Sequence, residues 1–414
     1  MASRPRSNPE QSRYAYDYPQ QSARSQPRPR STDRRRASRN ADPMVRVVGS
    51  IDYALLFVVA ILVLIGVVMV FSASYMTAAA RHGSPFHFLR PSITFAVIGF
   101  VVMVAVCHVN YEFIRPLSLA IYGAAVALLI MVIFFGEEIG GARRWINLPI
   151  IGQFQPSELA RAAVIFLLAY LVEKFPGLSR SFRGLLFLSA SVVIVVGLIA
   201  WPGGFSVAII TTVIGFGLIA VTSPYFWHLV VLGGVGAAGV GGYLWWESVA
   251  GEGFRGGRFA VWLDPFSDPL GIGFQIINGL YAIASGGWFG LGIGNSRQAT
   301  FIPEPQNDMI FAIIVEELGF FGAVVIIILY AVFIWRGIII SMRAPDTFGA
   351  ITALGIVFAI GIPALVNIAV VTNSIPNTGV NLPFISYGGT SLIVSMGLAG
   401  VLLSISRYST KRSE

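Results

Sequence analysis

Long apolar segments recur through most of this 414-residue chain and constrain its fold more than any other feature. Each is about long enough to cross a membrane as a helix, which satisfies its own backbone hydrogen bonds in lipid. Only 12% of the residues are charged, whereas a water-soluble domain carries about 25%. The sequence therefore predicts an all-α integral membrane protein with about ten spans: residues 51–73, 90–110, 117–136, 159–173, 184–201, 205–223, 226–246, 309–335, 347–372 and 389–406.

The first 46 residues differ in composition from the rest of the chain. They hold eleven arginines and four acids, which accounts for +7 of the formal net charge of +8. The segment is rich in Pro, Ser and Gln and lacks apolar periodicity, so we predict a disordered arm. Such an arm favours the cytoplasmic side and can lie on anionic lipid; phosphorylation near RRRAS or docking of a cytoplasmic partner is the alternative role. We predict a cytoplasmic arm (1–46), a membrane domain (47–408) and a cytoplasmic tail (409–414).

With the arm inside, ten spans return the C-terminus to the cytoplasm, and the inside loops are mostly basic, as the positive-inside rule requires. The loops after spans 3, 7 and 9 should face outwards, and all three are long and rich in Gly and Pro; the second covers 247–308. Irregular backbone at membrane depth survives only inside protein or beside a wet cavity. These loops therefore predict a cavity that opens outwards. The single Cys107 lies in an apolar run, so an intrachain disulfide is impossible.

The stretch WLDPFSDPLGIGFQ, residues 262–275, places two Asp-Pro pairs in the largest of these loops. Asp before Pro is a good helix N-cap, so Asp264 and Asp268 could each serve only to start a turn or helix. The alternative is a reactive carboxylate over a wet cavity, for which Arg255 and Arg258 just upstream would supply positive charge. The residues alone leave both explanations open.

Four further acids surround the start of span 8: Glu304, Asp308, Glu316 and Glu317. Positions 308, 312 and 316 would fall on one face of a helix. A carboxylate inside a span costs ~2.5–3.5 kcal/mol and usually faces an interior partner or a cavity. Adjacent Glu316 and Glu317 cannot share a face, so we predict that one of them is a structural hydrogen-bond acceptor, with no choice between the two.

In the loop after span 3, Arg143 and Arg144 precede Trp145 and form a candidate clamp for an anionic head group. Arg binds phosphate in a bidentate fashion, and Trp favours the membrane interface. Without further context, two arginines that snorkel to the surface beside a Trp are the simpler explanation. Slightly further along, Gln155 and Glu158 are predicted to belong to the N-terminal cap of span 4.

Six motifs follow one another along the chain: GARRWINL, QPSEL, DPFSDPLGIGFQ, GLGIGNSRQ, FIPEPQNDMIFAIIVEELGFFG and PNTGVNLPFISYGGTSL. Each motif is weak by itself, but the ordered set on the predicted topology is specific. By this set the chain resembles the SEDS family (FtsW, RodA, SpoVE) between about residues 50 and 408. GLGIGNSRQ, followed directly by the Pro-Glu entry to span 8, is most like the FtsW or SpoVE branch.

The resemblance implies a peptidoglycan glycosyltransferase that polymerises lipid II at the outer face of the bacterial cytoplasmic membrane, in cell division, elongation or sporulation. The family's essential acid corresponds to Asp268, the expected general base, which leaves Asp264 as the cap. Arg255, three residues before Arg258, is included among the predicted substrate-binding residues because of its positive charge. The family's cavity residues correspond to Arg143, Arg144, Gln155, Glu158, Arg258, Gln275, Glu304, Asp308, Pro376, Thr378, Ser386 and Tyr387.

In the implied reaction a sugar hydroxyl attacks the anomeric carbon of the growing strand, inverts it and releases a polyprenyl pyrophosphate. Arg143, Arg144 and Arg258 would stabilise this leaving group, alone or with a divalent cation such as Mg²⁺ or Mn²⁺. The resemblance also implies a class B penicillin-binding protein and other cell-division proteins as partners. A nucleic-acid partner is not expected, because the excess positive charge is confined to the arm.

Three motifs depart from the family pattern. Gln306 and Asn307 replace a His-Thr pair, WPGGFS at 201–206 replaces QPDLGT, and FQIING replaces YQxxQS.

Two other classes of protein fit the composition: a flippase for a lipid-linked precursor, and a non-catalytic scaffold of the division machinery. A flippase needs polar sites that both leaflets can reach, whereas the candidate residues here crowd one side.

Overall fold

The computed structural model of the protein describes most of the predicted membrane domain. The predicted arm 1–46, the tail 409–414, most of the predicted span 226–246, and both Arg255 and Arg258 lie outside the described residues. The described residues are 49–139, 142–148, 152–225, 227, 230, 233–234 and 261–408.

Helices account for most of the described chain. Short 3-10 turns occur at Tyr111–Phe113, Pro265–Ser267 and Gln298–Thr300. The longer helices are α1 (Tyr53–His82), α2 (Leu89–His108), α3 (Ile114–Phe135), α4 (Pro156–Lys174), α5 (Phe182–Ala200), α6 (Phe205–Thr222), α7 (Gly273–Gly286), α8 (Ile310–Arg343), α9 (Thr347–Val371) and α10 (Gly389–Arg407).

Within the described residues, eight helices are long and apolar enough to cross a membrane, and these are all except α4 and α7. Helix α4 corresponds to the predicted fourth span but carries charged residues, and it packs among α3, α5, α6 and α9. Helices α1 and α8 run well past the predicted ends at 73 and 335. The predicted all-α membrane fold is confirmed.

A small antiparallel sheet replaces the irregular loop that we predicted after span 3. Its strands, in order, are β1 (Glu137–Ile139), β2 (Ala142–Leu148) and β3 (Gly152–Phe154). Strands of three to seven residues give too short an alternation for the sequence pattern to reveal them. The sheet leads directly into α4 and places β2 and β3 beside the helix bundle.

A kink at Gly319 divides α8, and the backbone there exchanges its hydrogen bonds with another segment. Gly319 has a left-handed φ of 68°. The amides of Phe320 and Phe321 donate to the carbonyls of Gly287 and Trp288, at 2.9 and 3.2 Å, instead of continuing the helix. The two helical carbonyls left free, of Glu316 and Glu317, accept from the amides of residues 291 and 292 at 2.9 and 3.0 Å.

Ion pairs tie the helix ends together at one end of the bundle. Asp52 caps α1 and accepts from Arg336 of α8 at 3.0 and 2.5 Å. Arg115 of α3 pairs with Glu173 of α4 at 2.9 Å and with Asp346, the cap of α9, at 2.8 Å. This ion-paired end therefore holds the start of α1, α3 and α9 and the end of α4 and α8.

Replacing Gly319 with Ala should destabilise the protein. A Cβ at this position would lie 2.4 Å from the amide nitrogen of Gly290 and 2.5 Å from that of Phe289, at a φ that non-glycine residues avoid. We expect a loss of ~1–3 kcal/mol in the free energy of unfolding, measured by thermal denaturation in detergent. Gly197→Ala is the control, because a Cβ there meets nothing within 4 Å and the residue lies in regular helix. Equal melting temperatures for the two variants would contradict the role assigned to the kink.

Candidate functional site

A cavity with a volume of about 800 Å³ lies among the described residues. It lies between α2 and α10 on one side and α4, α6 and α9 on the other, with β2, β3 and the segment after α9 around it. Its apolar wall includes Phe95, Ile98, Val207, Ile210, Ile360, Pro363, Val394 and Leu398. Its charged and polar residues are Arg90, Thr94, Arg144, Gln153, Gln155, Glu158, Arg161, Asn307, Asn381, Tyr387, Ser391 and Ser395.

The cavity lies at the end of the bundle opposite the ion-paired end. It is lined by the first turns of α4 and α10, whereas Glu173 in the last turn of α4 belongs to the ion-paired end. The segments after α3 and after α9, both predicted to face outwards, contribute to its walls. The sequence therefore located the cavity at the correct group of loops; the side of the membrane that it faces stays a prediction.

Four of the predicted site residues line this cavity: Arg144, Gln155, Glu158 and Tyr387. The guanidinium group of Arg144 donates to the carbonyl of Gly203, in the turn before α6. The backbone amide of Gln155 donates to the hydroxyl of Thr390 at 3.3 Å. Strand β2, the entry to α4 and the entry to α10 are thus joined around one space.

Arg161 is a cavity residue that the sequence analysis missed. It is 8% exposed and pairs with Glu158 one turn earlier on α4, so these two charges are nearly buried together. This corrects the predicted cap, because the Gln155 side chain makes no capping hydrogen bond and Glu158 pairs with a cation instead. The signal was present as Glu-x-x-Arg inside an apolar run, which places both side chains on one helical face.

The predicted clamp of adjacent arginines is wrong for Arg143. Its side chain is more than half exposed and lies 3.5 Å from Glu138 on the neighbouring strand, and it is not among the cavity residues. Only Arg144 of the pair reaches the cavity. Neighbouring residues in an extended strand point in different directions, so sequence adjacency does not bring two guanidinium groups onto one ligand.

A network of amides and one carboxylate forms the rim beside the cavity. The Nε2 of Gln275, on α7, donates to Oδ1 of Asp308 at 3.1 Å, and the Nδ2 of Asn377 donates to Oε1 of Gln275 at 3.2 Å. Buried Asn367 donates to the backbone carbonyls of Asp308 and Val380, both at 2.7 Å. Asp308 precedes α8, which begins at Ile310, so the predicted shared helical face of positions 308, 312 and 316 is wrong.

Other predicted residues also belong to this rim rather than to the cavity wall. Ser386 accepts from the amide of Leu382 at 2.7 Å and donates to the carbonyl of Asn307 at 2.6 Å. Glu304 accepts from the Nε2 of Gln306 at 2.6 Å and lies 3.6 Å from Arg81. Pro376 and Thr378 lie in the same segment as Asn377.

Tyr387 connects the rim to the cavity. Its backbone amide donates to the carbonyl of Gln306 at 2.9 Å, and its ring packs edge-on against Phe88 at a centroid distance of 5.2 Å. Burial and the negative charge of Glu304 raise the pKa of the Tyr387 phenol above its usual value. The hydroxyl is therefore protonated at neutral pH and can donate a hydrogen bond to a ligand.

Asp264 caps the 3-10 turn Pro265–Ser267, whereas Asp268 holds the turn that leads into α7. Asp264 accepts from the amide of Phe266 at 3.1 Å, whereas Asp268 accepts from the amides of Gly271 and Ile272 at 3.1 and 2.9 Å, just before α7. Asp268 is partly exposed and is not among the residues lining the cavity. Among the described residues, no three His, Cys, Asp or Glu side chains come together as a metal site.

Both carboxylates in the first half of α8 are structural, whereas we predicted that role for one of them. Glu316 is fully buried and accepts from the hydroxyls of Ser285 and Ser296 and from the amide of Arg297. Glu317 is 1% exposed and accepts from the hydroxyl of Ser72 on α1 at 2.6 and 2.8 Å. The two groups diverge, as predicted for adjacent positions, but each finds its own donors.

These helices and their polar cavity define an all-α, multi-pass membrane protein. Residues 53–411 match the sequence profile of the cell cycle protein family of FtsW, RodA and SpoVE, and the chain belongs to that family. The resemblance seen in the sequence motifs is thereby confirmed.

Two relatives are similar over nearly their whole length. Stage V sporulation protein E of Bacillus subtilis (strain 168) is 39% identical over 367 residues, which cover 86% of this chain and 97% of that protein. A probable peptidoglycan glycosyltransferase FtsW of Geobacter sp. (strain M18) is 37% identical over 368 residues, which cover 87% and 98%. Both agree with the FtsW or SpoVE branch predicted from GLGIGNSRQ.

Two solved structures share the fold. A chain from a peptidoglycan synthase complex that coordinates polymerization and crosslinking has a TM-score of 0.72 at 26% identity, over 86% of this chain and 98% of that one. The rod shape determining protein RodA of Thermus thermophilus has a TM-score of 0.62 at 24% identity, over 87% and 98%.

The Glu158–Arg161 pair should behave as one buried unit. Glu158→Gln alone leaves the nearly buried guanidinium group of Arg161 without its ion-pair partner, and we expect it to cost about 3–5 kcal/mol of stability. The double variant Glu158→Gln, Arg161→Met removes both charges and should cost less than the single one. Thermal denaturation of the four combinations in detergent gives the coupling energy. Additive losses would show that the two groups do not depend on each other.

Proposed function

We propose that this chain is a peptidoglycan glycosyltransferase, most like FtsW, that polymerises lipid II into glycan strands. The observation that carries the proposal is a cavity that combines guanidinium groups, amides and an apolar wall, in a chain of the FtsW, RodA and SpoVE family. Lipid II is a disaccharide-pentapeptide on a polyprenyl pyrophosphate. It therefore needs cations for the pyrophosphate, polar groups for the sugars and an apolar surface for the lipid.

The reaction is a displacement at the anomeric carbon of the growing strand. The 4-hydroxyl of the incoming sugar forms the new bond to this carbon while the bond to the pyrophosphate breaks, so the carbon is inverted. The hydroxyl proton passes to a general base, and the polyprenyl pyrophosphate leaves with the negative charge. Of the arginines that the sequence predicts to stabilise this leaving group, Arg144 lines the cavity. Arg258 is the second candidate.

Asp268 is the proposed general base. A carboxylate has about four lone-pair positions, and the amides of Gly271 and Ile272 use two of those on Asp268, so it can still accept a proton. It lies in the turn just before α7, whose Gln275 contacts Asp308 at the cavity rim. Substrate entering the cavity from this rim would bring its acceptor hydroxyl towards the Asp268 carboxylate.

The cavity is proposed to face the outside of the bacterial cytoplasmic membrane, with both termini in the cytoplasm. Support comes from the opposite end, where the α4–α5 connection, the first turn of α5 and the last turns of α8 and α10 carry Arg180, Arg183, Arg343 and Arg407. Basic residues concentrate on the cytoplasmic side. Lipid II with its sugars outside would then reach the cavity directly.

The two Asp-Pro aspartates provide a matched test of the base. Asn keeps a side-chain oxygen that can accept a backbone hydrogen bond in these turns, so Asp268→Asn and Asp264→Asn should both fold. In detergent with purified lipid II, Asp268→Asn should lower polymerisation at least ~100-fold, because general base catalysis contributes ~10²–10⁴. Asp264→Asn should keep a rate near that of the unmodified chain. An Asp268→Asn protein that makes strands at the full rate would remove Asp268 from the mechanism.

The same assay separates the enzyme from the other two classes. Detergent has no leaflets, so strands formed there require a polymerase. A flippase would make no strands in detergent but would move labelled lipid II across sealed vesicles. The cavity lining runs from the end opposite the ion-paired end to the middle of α2, α9 and α10 and does not include the residues of the ion-paired end, which favours the enzyme. A scaffold would make no strands and would tolerate Asp268→Asn in cells.

A class B penicillin-binding protein is the proposed partner. The similar chain in the peptidoglycan synthase complex supports this, because that complex joins polymerization to crosslinking. We expect the chain to co-purify with the class B protein of its own cell from detergent-solubilised membranes, and Asp268→Asn to co-purify equally well. Crosslinked strands should form with the unmodified pair and not with the variant. Failure of the unmodified chain to co-purify would contradict the partnership.

A further inference from the structure

Among the described residues, three guanidinium groups line the cavity, and they differ in how their charge is compensated. Arg161 is paired with Glu158, and Arg144 donates to the carbonyl of Gly203. The side chain of Arg90 makes no hydrogen bond or ion pair with any residue in the described part of the chain. Arg90 therefore offers all of its donors to a ligand.

Helix α2 continues from this charge into an apolar strip that also lines the cavity. Arg90, Thr94 and Ile98 are spaced by four residues, so they lie on one face of the helix over about 12 Å. That face changes from charged to polar to apolar with distance from the helix start. Phe100, two residues from Ile98 and therefore on the opposite face of the helix, is 47% exposed and does not line the cavity.

We infer that Arg90 binds the pyrophosphate of a polyprenyl-linked substrate, and that the Thr94–Ile98 face holds the first part of its lipid chain. This rests on the proposed function above. A guanidinium group binds phosphate oxygens in a bidentate geometry, and the adjoining apolar strip suits a chain attached to that phosphate. The occupant is a lipid pyrophosphate because a free phosphate would gain nothing from the apolar strip.

The cavity offers two separate cationic positions, Arg90 and Arg144, and the proposed reaction uses two lipid-linked substrates. Polymerisation brings two lipid-linked molecules together, and each carries a pyrophosphate. Arg90 is on α2 and Arg144 is on β2, two different elements of the cavity wall. The Arg90 position therefore adds a site for one lipid without using the group that serves the other.

The first test is kinetic. Arg90→Gln should raise the KM for lipid II by about 10-fold or more, since a hydrogen bond to a charged group contributes ~1.5–3 kcal/mol. Arg90→Lys should recover only part of the affinity, because Lys lacks the bidentate geometry. Arg297→Gln is the control: this exposed arginine lies outside the cavity lining and should leave KM within about twofold. An unchanged KM for Arg90→Gln overturns the inference.

Inhibition distinguishes the kinds of lipid. A polyprenyl pyrophosphate without sugars should compete with lipid II in the unmodified chain and much less in Arg90→Gln. Neither the corresponding polyprenyl alcohol nor phosphatidylglycerol in the same micelles should compete. Competition by phosphatidylglycerol at the same concentration would mean that Arg90 binds lipid head groups in general, which contradicts the inference.

A crosslinking test reads lipid binding without turnover. A photoreactive benzoylphenylalanine at position 98 of the full chain should crosslink to lipid II that is radiolabelled in its lipid, and unlabelled polyprenyl pyrophosphate should prevent this. The same group at position 100, on the opposite face of α2, points away from the cavity lining and should give no competable crosslink. Equal crosslinking at both positions overturns the inference even if strands form. Crosslinking at 98 without strand formation instead contradicts the proposed function.

Discussion

Lipid supplies no hydrogen-bond partner, so every backbone group that leaves a helix within the membrane must find another partner in the protein. At Gly319 the backbone of α8 and the backbone of segment 287–292 donate hydrogen bonds to each other. The amides and carbonyls that the kink releases from the helix are therefore still paired. The carboxylate of Glu316 then holds the following turn through Ser296 and the amide of Arg297. The connection between α7 and α8 is fixed by these contacts, and the position of Gln275 against Asp308 depends on it.

The cavity has an uneven balance of charge. Its described lining holds three arginines and one carboxylate, and the carboxylate of Glu158 is already used by Arg161. Removing charge from water is costly unless a partner is present, so such a wall is best satisfied by a ligand that brings negative charge. A pyrophosphate with a lipid chain meets both halves of the cavity, the cationic rim and the apolar wall. Shape and charge therefore select the same class of molecule.

The sequence predicted the fold well because its signals act over long stretches. Spans of twenty apolar residues, and Gly- and Pro-rich loops on one side, fix where the helices and the cavity lie. Side-chain direction is a shorter-range property, and there the predictions failed. Arg143 and Arg144 are neighbours in sequence, yet only Arg144 reaches the cavity. Glu316 and Glu317 both have donors, but those donors lie 18 to 245 residues away. Arg90 was overlooked because a lone arginine at a span end also suits the lipid interface.

The paired charges of α4 bear on how the chain enters the membrane during synthesis. Helix α4 is largely buried among α3, α5, α6 and α9, and it is not among the helices apolar enough to partition into lipid by composition. Glu158 and Arg161 neutralise each other within one turn, which lowers the penalty for leaving the translocon but leaves a strongly polar surface. Helix α4 is therefore expected to enter the lipid bilayer only after later helices have been inserted and can pack around its polar surface. Biogenesis of this chain would then proceed by groups of helices rather than one span at a time.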